Sequence, residues 1–326
     1  MRPTDPLSLI VRWRRVAVAT AAACLAFGAA AQAPAVTSPP LFKQDARTKV
    51  AEHVYVILDE DRAFVTNSGI VAGSKATLVI DTGMGNRNGE ILLGEARKVS
   101  KNTDFYVAAT HFHPEHDLGA NGFPPSAKML RWRGQQVEDD EDGARTIEQF
   151  KGFSPAAKEL LDGAAFRPAD VLFDDAITLD LGGLHVKLFG VGPNHTRGDT
   201  AFFVVEDKIL FTGDTVMPVF PAVSGPSGSI KKWLANLVEY EALQPVVVVP
   251  AHGKLIDTSY IRRYRGYLST VQMRVAAEKR GGATLEATQA KLAPTLAMEF
   301  ADLAPANGAP TGRINQAIQA AYREAP

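Results

Sequence analysis

His111-Phe112-His113-Pro114-Glu115-His116 is the stretch on which the reading of this chain turns. Three histidines fall within six residues, with a carboxylate between the second and third. The run follows closely on Phe105-Tyr106-Val107-Ala108-Ala109, whose aromatic and β-branched content reads as a strand. His111 and His113 stand two apart at that strand's end, so both project to one side. His116 falls near the start of an expected short helix. Imidazoles and carboxylates without a thiolate suit Zn²⁺, iron or manganese. A solvated polar loop would also account for this cluster taken alone.

Working outward, similar polar residues recur at other strand ends. Apolar runs at Val54-Tyr55-Val56-Ile57-Leu58, Phe64-Val65-Thr66-Asn67, Gly69-Ile70-Val71 and Ala76-Thr77-Leu78-Val79-Ile80 read as strands. The last leads into Asp81-Thr82-Gly83. Further strands are expected at 171–173, 177–181, 186–189, 201–205, 209–211 and 246–249. Asn194-His195-Thr196-Arg197-Gly198-Asp199 precedes one of them. Gly213-Asp214 and Ala251-His252-Gly253 close two others. A sheet lines up its strand ends along one edge, where such side chains can converge. Residues 89–100 have helical periodicity, residues 122–169 read as helical and polar, and Ser229 suits a helix N-cap. After Tyr260 the pattern is helical, with breaks expected near Gly281-Gly282, Pro294 and 305–310.

The order H-x-H-x-E-H, then His195, then Gly213-Asp214, then Ala251-His252-Gly253 is similar to the metallo-β-lactamase superfamily pattern. Val79-Ile80-Asp81-Thr82-Gly83 resembles its upstream strand-to-loop motif. The resemblance implies an α/β fold, a four-layer αββα sandwich, with a helical C-terminal extension. It implies His111, His113 and His195 at one metal, His116 and His252 at a second, and Asp214 between them. Asp81 then braces the metal loops from behind. The family's usual acid between the second and third histidines is aspartate; here it is Glu115, one methylene longer. Its carboxylate must fold back or shift the second metal, which leaves that metal open between zinc, iron and manganese. Asp117 is a weaker substitute for it.

The activity implied is that of a metal-dependent, dizinc hydrolase. A metal-bound hydroxide oriented by Glu115 would attack a small ester, thioester, lactone or β-lactam. Asp214 stands where β-lactamases commonly carry Cys or Ser, which disfavours the β-lactam. Two other readings are a mononuclear iron oxidoreductase of sulfur-dioxygenase type and a non-catalytic periplasmic binding protein. The Asp81-Thr82-Gly83 loop alone would also suit an aspartic protease, but that leaves the histidines unexplained. The segment from Pro218 to Ser229 and the run Arg131-Trp132-Arg133 are candidates to face a substrate. His53 and His185 are expected to pack or face solvent.

Composition sets outer limits. With 326 residues, 46% hydrophobic, the chain can bury a large core. A net charge of −1 gives no basic face for nucleic acid, so the expected partner is a small-molecule substrate. Arg12, Arg14 and Arg15 precede an alanine-rich apolar run that ends at Ala29-Ala30-Ala31. Residues 1–31 therefore read as an export signal, giving a periplasmic or secreted protein without stable membrane insertion after cleavage. The lone cysteine, Cys24, would leave with it. The expected organisation is a linker at 32–46, a catalytic domain at 47–260 and the helical extension at 261–326.

Overall fold

The computed structural model describes residues 38–223, 225–304 and 310–326. The expected export signal and Cys24 lie outside the described residues, as does the first part of the expected linker.

One sheet runs β1 (Arg47–Lys49), β2 (Val54–Ile57), β3 (Ser68–Ala72), β4 (Ala76–Ile80), β5 (Asp104–Ala108), β6 (Lys128–Trp132) and β7 (Val171–Phe173), in that spatial order. The other contains β8 (Ala176–Asp180), β9 (His185–Gly190), β10 (Thr200–Val204), β11 (Ile209–Gly213) and β12 (Val247–Pro250), in reverse order across the sheet. Helices are α1 (Asn86–Val99), α2 (Pro114–Asp117), α3 (Arg133–Lys151), α4 (Pro155–Leu160), α5 (Ile230–Ala242), α6 (Thr258–Arg280), α7 (Leu285–Glu299) and α8 (Thr311–Glu324).

Strand alternation builds the layers. Val54, Val56, Leu78 and Ile80 face inward and meet Val186, Leu188, Phe202, Val204 and Phe211 between the sheets. The opposite faces of the same strands carry Ile57 and Val79, which pack with Leu92 and Ala96 of α1. On the other side, Ala201, Phe203 and Leu210 pack beneath α5, α6, α7 and α8. Helix, sheet, sheet and helix thus form the four-layer sandwich. The C-terminal helices share one core with the second sheet, and α6 runs straight through the expected boundary at residue 260.

The topology explains why the polar residues meet. β4 and β5 are parallel, as are β11 and β12. β9 and β11 both pair antiparallel with β10, so they point the same way. Asp81, His111, His195, Asp214 and His252 follow the C-terminal ends of these strands, or the turn after them.

Four expectations need correction. Phe64-Val65-Thr66-Asn67 is a loop, not a strand. Phe64 sits at φ +61°, outside the β region, and Asn67 donates its side-chain amide to Pro250 and Gly253 carbonyls, at 2.8 Å each. The helical reading of 122–169 hides β6, whose Met129 and Leu130 are buried on opposite faces. α7 continues through Pro294 instead of breaking there. Packing of Leu292, Ala293 and Leu296 into the core holds the helix across the missing amide.

The fourth correction concerns Arg131-Trp132-Arg133, which does not overhang the site. Arg131 is almost fully buried between Asp117, at 2.8 and 3.0 Å, and Asp139. Asp117 is thereby committed away from the metal residues. One guanidinium serves two buried acids; burial first and Asp117 second push the Asp139 carboxyl well above its ordinary range. Arg131→Met leaves the buried Asp117 carboxyl without its guanidinium partner and is expected to cost about 3–5 kcal/mol in denaturant unfolding. The Asp139 effect has a definite sign. Folded Asp139 holds a proton that the unfolded chain has released above the ordinary aspartate range, so stability falls as pH rises from there through the raised value. Asp139→Asn should flatten that slope in melts across pH 5–9; an unchanged slope would show that Asp139 carries no such proton.

Candidate metal centre

Three groups of donors converge. His111, His113 and His195 form one; His111, His116 and Asp214 a second; Glu115, His116 and His252 a third, with the donor atoms of each within 4.8 Å of one another. His111 Nε2 is 3.0 Å from His113 Nδ1, and His195 Nε2 is 3.4 Å from the same atom. Asp214 joins the halves, with Oδ2 at 3.4 Å from His195 Nε2 and Oδ1 at 3.9 Å from His252 Nε2. Glu115 Oε1 reaches to 3.9 Å from His116 Nε2. The longer carboxylate therefore folds back to the histidines instead of leaving them. The structure brings together every ligand candidate read from the sequence.

Local structure fixes these positions. Pro114 opens α2, suited to a first helical turn, and the turn places Glu115 and His116 behind His113. Asp81 accepts from the Thr110 amide at 2.6 Å and from Thr110 Oγ1 at 3.0 Å. The same carboxylate lies 3.1 Å from His116 Nδ1. Thr110 Oγ1 in turn lies 3.2 Å from His111 Nδ1. One acid thus turns the Nε2 atoms of both His111 and His116 toward the centre. Asp81 holds φ +58°, an uncommon conformation for a non-glycine residue. Gly213, at φ +56°, leaves room for Thr110, whose Cβ lies 2.6 Å from where a side chain would begin.

The sequence reading missed several supports. Asp59 Oδ2 lies 3.6 Å from His252 Nδ1 and accepts the Gly253 amide at 2.9 Å. It follows the end of β2 much as Asp81 follows β4, and that parallel was a usable signal. The Ala222 carbonyl accepts from His195 Nδ1 at 2.8 Å. Glu138 of α3 accepts the Gly198 amide at 2.7 Å and so holds the His195 turn. Nothing local marks Glu138 within its acidic run. His53 and His185 are elsewhere, beside Asp207 and Glu206.

The donor set fits metal ions. Glu115 Oε2, His116 Nε2 and Asp214 Oδ1 are buried without a protein hydrogen-bond partner. Each unsatisfied buried group costs about 1–3 kcal/mol, which coordination to a cation removes. Burial, then repulsion from neighbouring imidazoles, holds His111 and His113 well below the ordinary histidine range. They are neutral, the form a metal requires. Burial opposes the charge on His116, but Asp81 outweighs it and pushes this imidazole up to about 9. Burial would likewise raise Asp214, yet His195 and His252 hold it well below the usual carboxylate range. The site therefore sets an anionic carboxylate, Asp214, beside the neutral pair His111 and His113, while Asp214 and Asp59 raise His252 against its burial. It opens to a cavity of about 540 Å³ walled by Phe64, Phe112, Phe150 and Phe153.

The sequence profile of the metallo-beta-lactamase superfamily matches residues 61–252. A linear primary-alkylsulfatase from a Pseudomonas species is 23% identical over 58% of this chain and 41% of its own length. An atrochrysone carboxyl ACP thioesterase from Aspergillus fumigatus is 25% identical over 70% of this chain and 66% of its own. Among solved structures, the sec-alkylsulfatase Pisa1 from Pseudomonas sp. superposes with TM-score 0.66 at 16% identity, covering 84% of this chain and 50% of that one. The DIM-1 metallo-beta-lactamase superposes with TM-score 0.53 at 19% identity, covering 72% and 99%. These structural likenesses bear on the fold. The chain spans about two fifths of the alkylsulfatase relative's length. It belongs to the metallo-beta-lactamase superfamily.

Proposed function

We propose that this chain holds two metal ions, zinc foremost, and hydrolyses a small ester or thioester outside the cytoplasm. The observation that carries the reading is the shared placement of Asp214 between His195 and His252. His111, His113 and His195 would hold one ion, and His116, His252 and Glu115 the other. Bound ions would supply Lewis acidity and a water acidified toward a pKa of about 7. Glu115 Oε2, buried and without a protein partner, would orient the attacking water by accepting its hydrogen. The phenylalanine wall would exclude bulk water and pack an apolar part of the substrate.

Relatives named for alkyl sulfate and thioester cleavage support an ester-type bond over a β-lactam. A mononuclear iron oxidoreductase would need only one of the two donor sets. Glu115 beside His116 and His252 supports a second metal position over that reading. Export rests on the leader reading of residues 1–31. No helix among the described residues is long and apolar enough to cross a membrane.

A panel of aryl ester, thioester, lactone, alkyl sulfate and β-lactam reporters tests the activity on metal-quantified protein. The expected result is turnover of an ester-type reporter that chelation abolishes and metal restores. Turnover of none, or turnover that survives complete chelation, would overturn the proposal. For export, N-terminal sequencing of periplasmic protein should begin at Gln32; an intact N-terminus confined to the cytoplasm would contradict it.

A further inference from the structure

The cavity over the metal residues abuts a larger one of about 800 Å³, and the two share Phe64, His252 and Arg313. Arg313 comes from the first turn of α8, far along the chain from every metal-site residue. Its Nη1 donates to the Phe220 carbonyl at 2.8 Å, which fixes the guanidinium. Among the described residues it makes no ion pair.

The charges around the larger chamber do not cancel. Asp302 is taken by Arg263 through two contacts of 2.6 and 2.9 Å. Asp59 is engaged by the Gly253 amide and lies beside His252. Arg62 gives Nε to the Asp59 carbonyl and Nη1 to the Leu41 carbonyl, and its Nη2 is buried without a protein partner. Arg62, Lys254 and Arg313 are then the cations lining the chamber, against the carboxylates of Asp59 and Asp61. A guanidinium offers paired planar donors that match an oxyanion. Arg313 therefore lines the same cavity as His113, Glu115, His195, Asp214 and His252, and the second chamber as well, which sets an anion-recognising group beside the candidate metal residues.

We infer that Arg313 is a specificity-determining residue, selecting substrates that carry an anionic oxygen group, a carboxylate or a sulfate monoester, apart from the bond that is cut. The C-terminal helical layer thereby completes the substrate site. This deepens the hydrolase reading and rests on it for the identity of the reaction, but the binding it requires can be measured without turnover.

Calorimetric titration of metal-stripped full-length protein with 4-phenylbutyrate, phenethyl sulfate and 4-phenylbutanol gives that measurement. One or both anions should bind at least ~10-fold more tightly than the alcohol, the lower range for a charge-assisted hydrogen bond. Arg313→Met should remove that preference, and Arg313→Lys should keep part of it, while unchanged melting midpoints show both variants folded. Which anion binds better identifies the oxyanion chemistry. In metal-loaded enzyme, Arg313→Met should raise KM for a carboxylate-bearing ester ~10-fold or more, with kcat moved less. His185→Ala, a surface pair with Glu206, serves as the control that changes neither readout. Equal binding of all three probes, or an anion preference that survives in Arg313→Met, would overturn the inference. Anion binding without turnover of any ester would instead overturn the hydrolase reading and leave this one standing.

Discussion

Asp214→Ala is expected to lower kcat/KM on the best ester reporter by ~10³-fold or more. A metal acting as Lewis acid supplies several kcal/mol of transition-state stabilisation, and each 1.36 kcal/mol is about tenfold in rate. Asp214 is the carboxylate beside both His195 and His252, so its loss should weaken both metal positions at once. It also supplies negative charge within a buried ring of imidazoles. Asp214→Asn tests charge separately from shape, because it keeps the side chain's outline; a similar loss is expected. The checks are steady-state kinetics and metal content on the same sample. Activity within tenfold of the parent, with full metal content, would show that Asp214 does not join the two halves.

Asp81→Ala is expected to act from outside the ligand set and still be severe. Supporting partners of metal ligands typically account for 10–100-fold in affinity or activity. Asp81 holds His116 directly and His111 through Thr110, so one substitution frees two candidate ligands. It also leaves the buried Thr110 amide without its acceptor. Metal affinity should fall ~100-fold or more, measured by competition with a chromophoric chelator, and the protein should melt earlier. Excess metal should recover part of the activity, since the ligands themselves remain. Failure of any metal concentration to recover activity in a folded variant would place Asp81 in the chemistry itself.

Much of this architecture was legible in the sequence because its signals are short and local. Val54–Ile57 and Ala76–Ile80 are β-branched runs with clear ends, and buried strands need little more. The ligand residues sit directly after such strands, so finding the strands located the site. What stayed hidden depends on distant partners. Phe64 to Asn67 has strand-like composition, but the Asn67 amide donates to the Ala251 carbonyl and its side chain to the Pro250 and Gly253 carbonyls, at and beyond the end of β12. β6 is masked because Arg131 looks like a surface residue until two buried acids enclose it. Arg313 carries no motif at all; only the packing of α8 brings it to the cavity. The Glu115 side chain could be named from sequence, whereas its fold-back toward His116 required the path of α2.

The central claim is a two-metal centre divided between two sets of ligands. Metal content by plasma mass spectrometry tests it most directly, on parent, His113→Ala, Glu115→Ala and His252→Ala proteins prepared alike. The account predicts about two ions per chain in the parent. His113→Ala should lose chiefly the first-site ion, and Glu115→Ala and His252→Ala chiefly the second, each with folded protein and diminished hydrolysis. Metal-free parent protein that hydrolyses its reporter at full rate would contradict it.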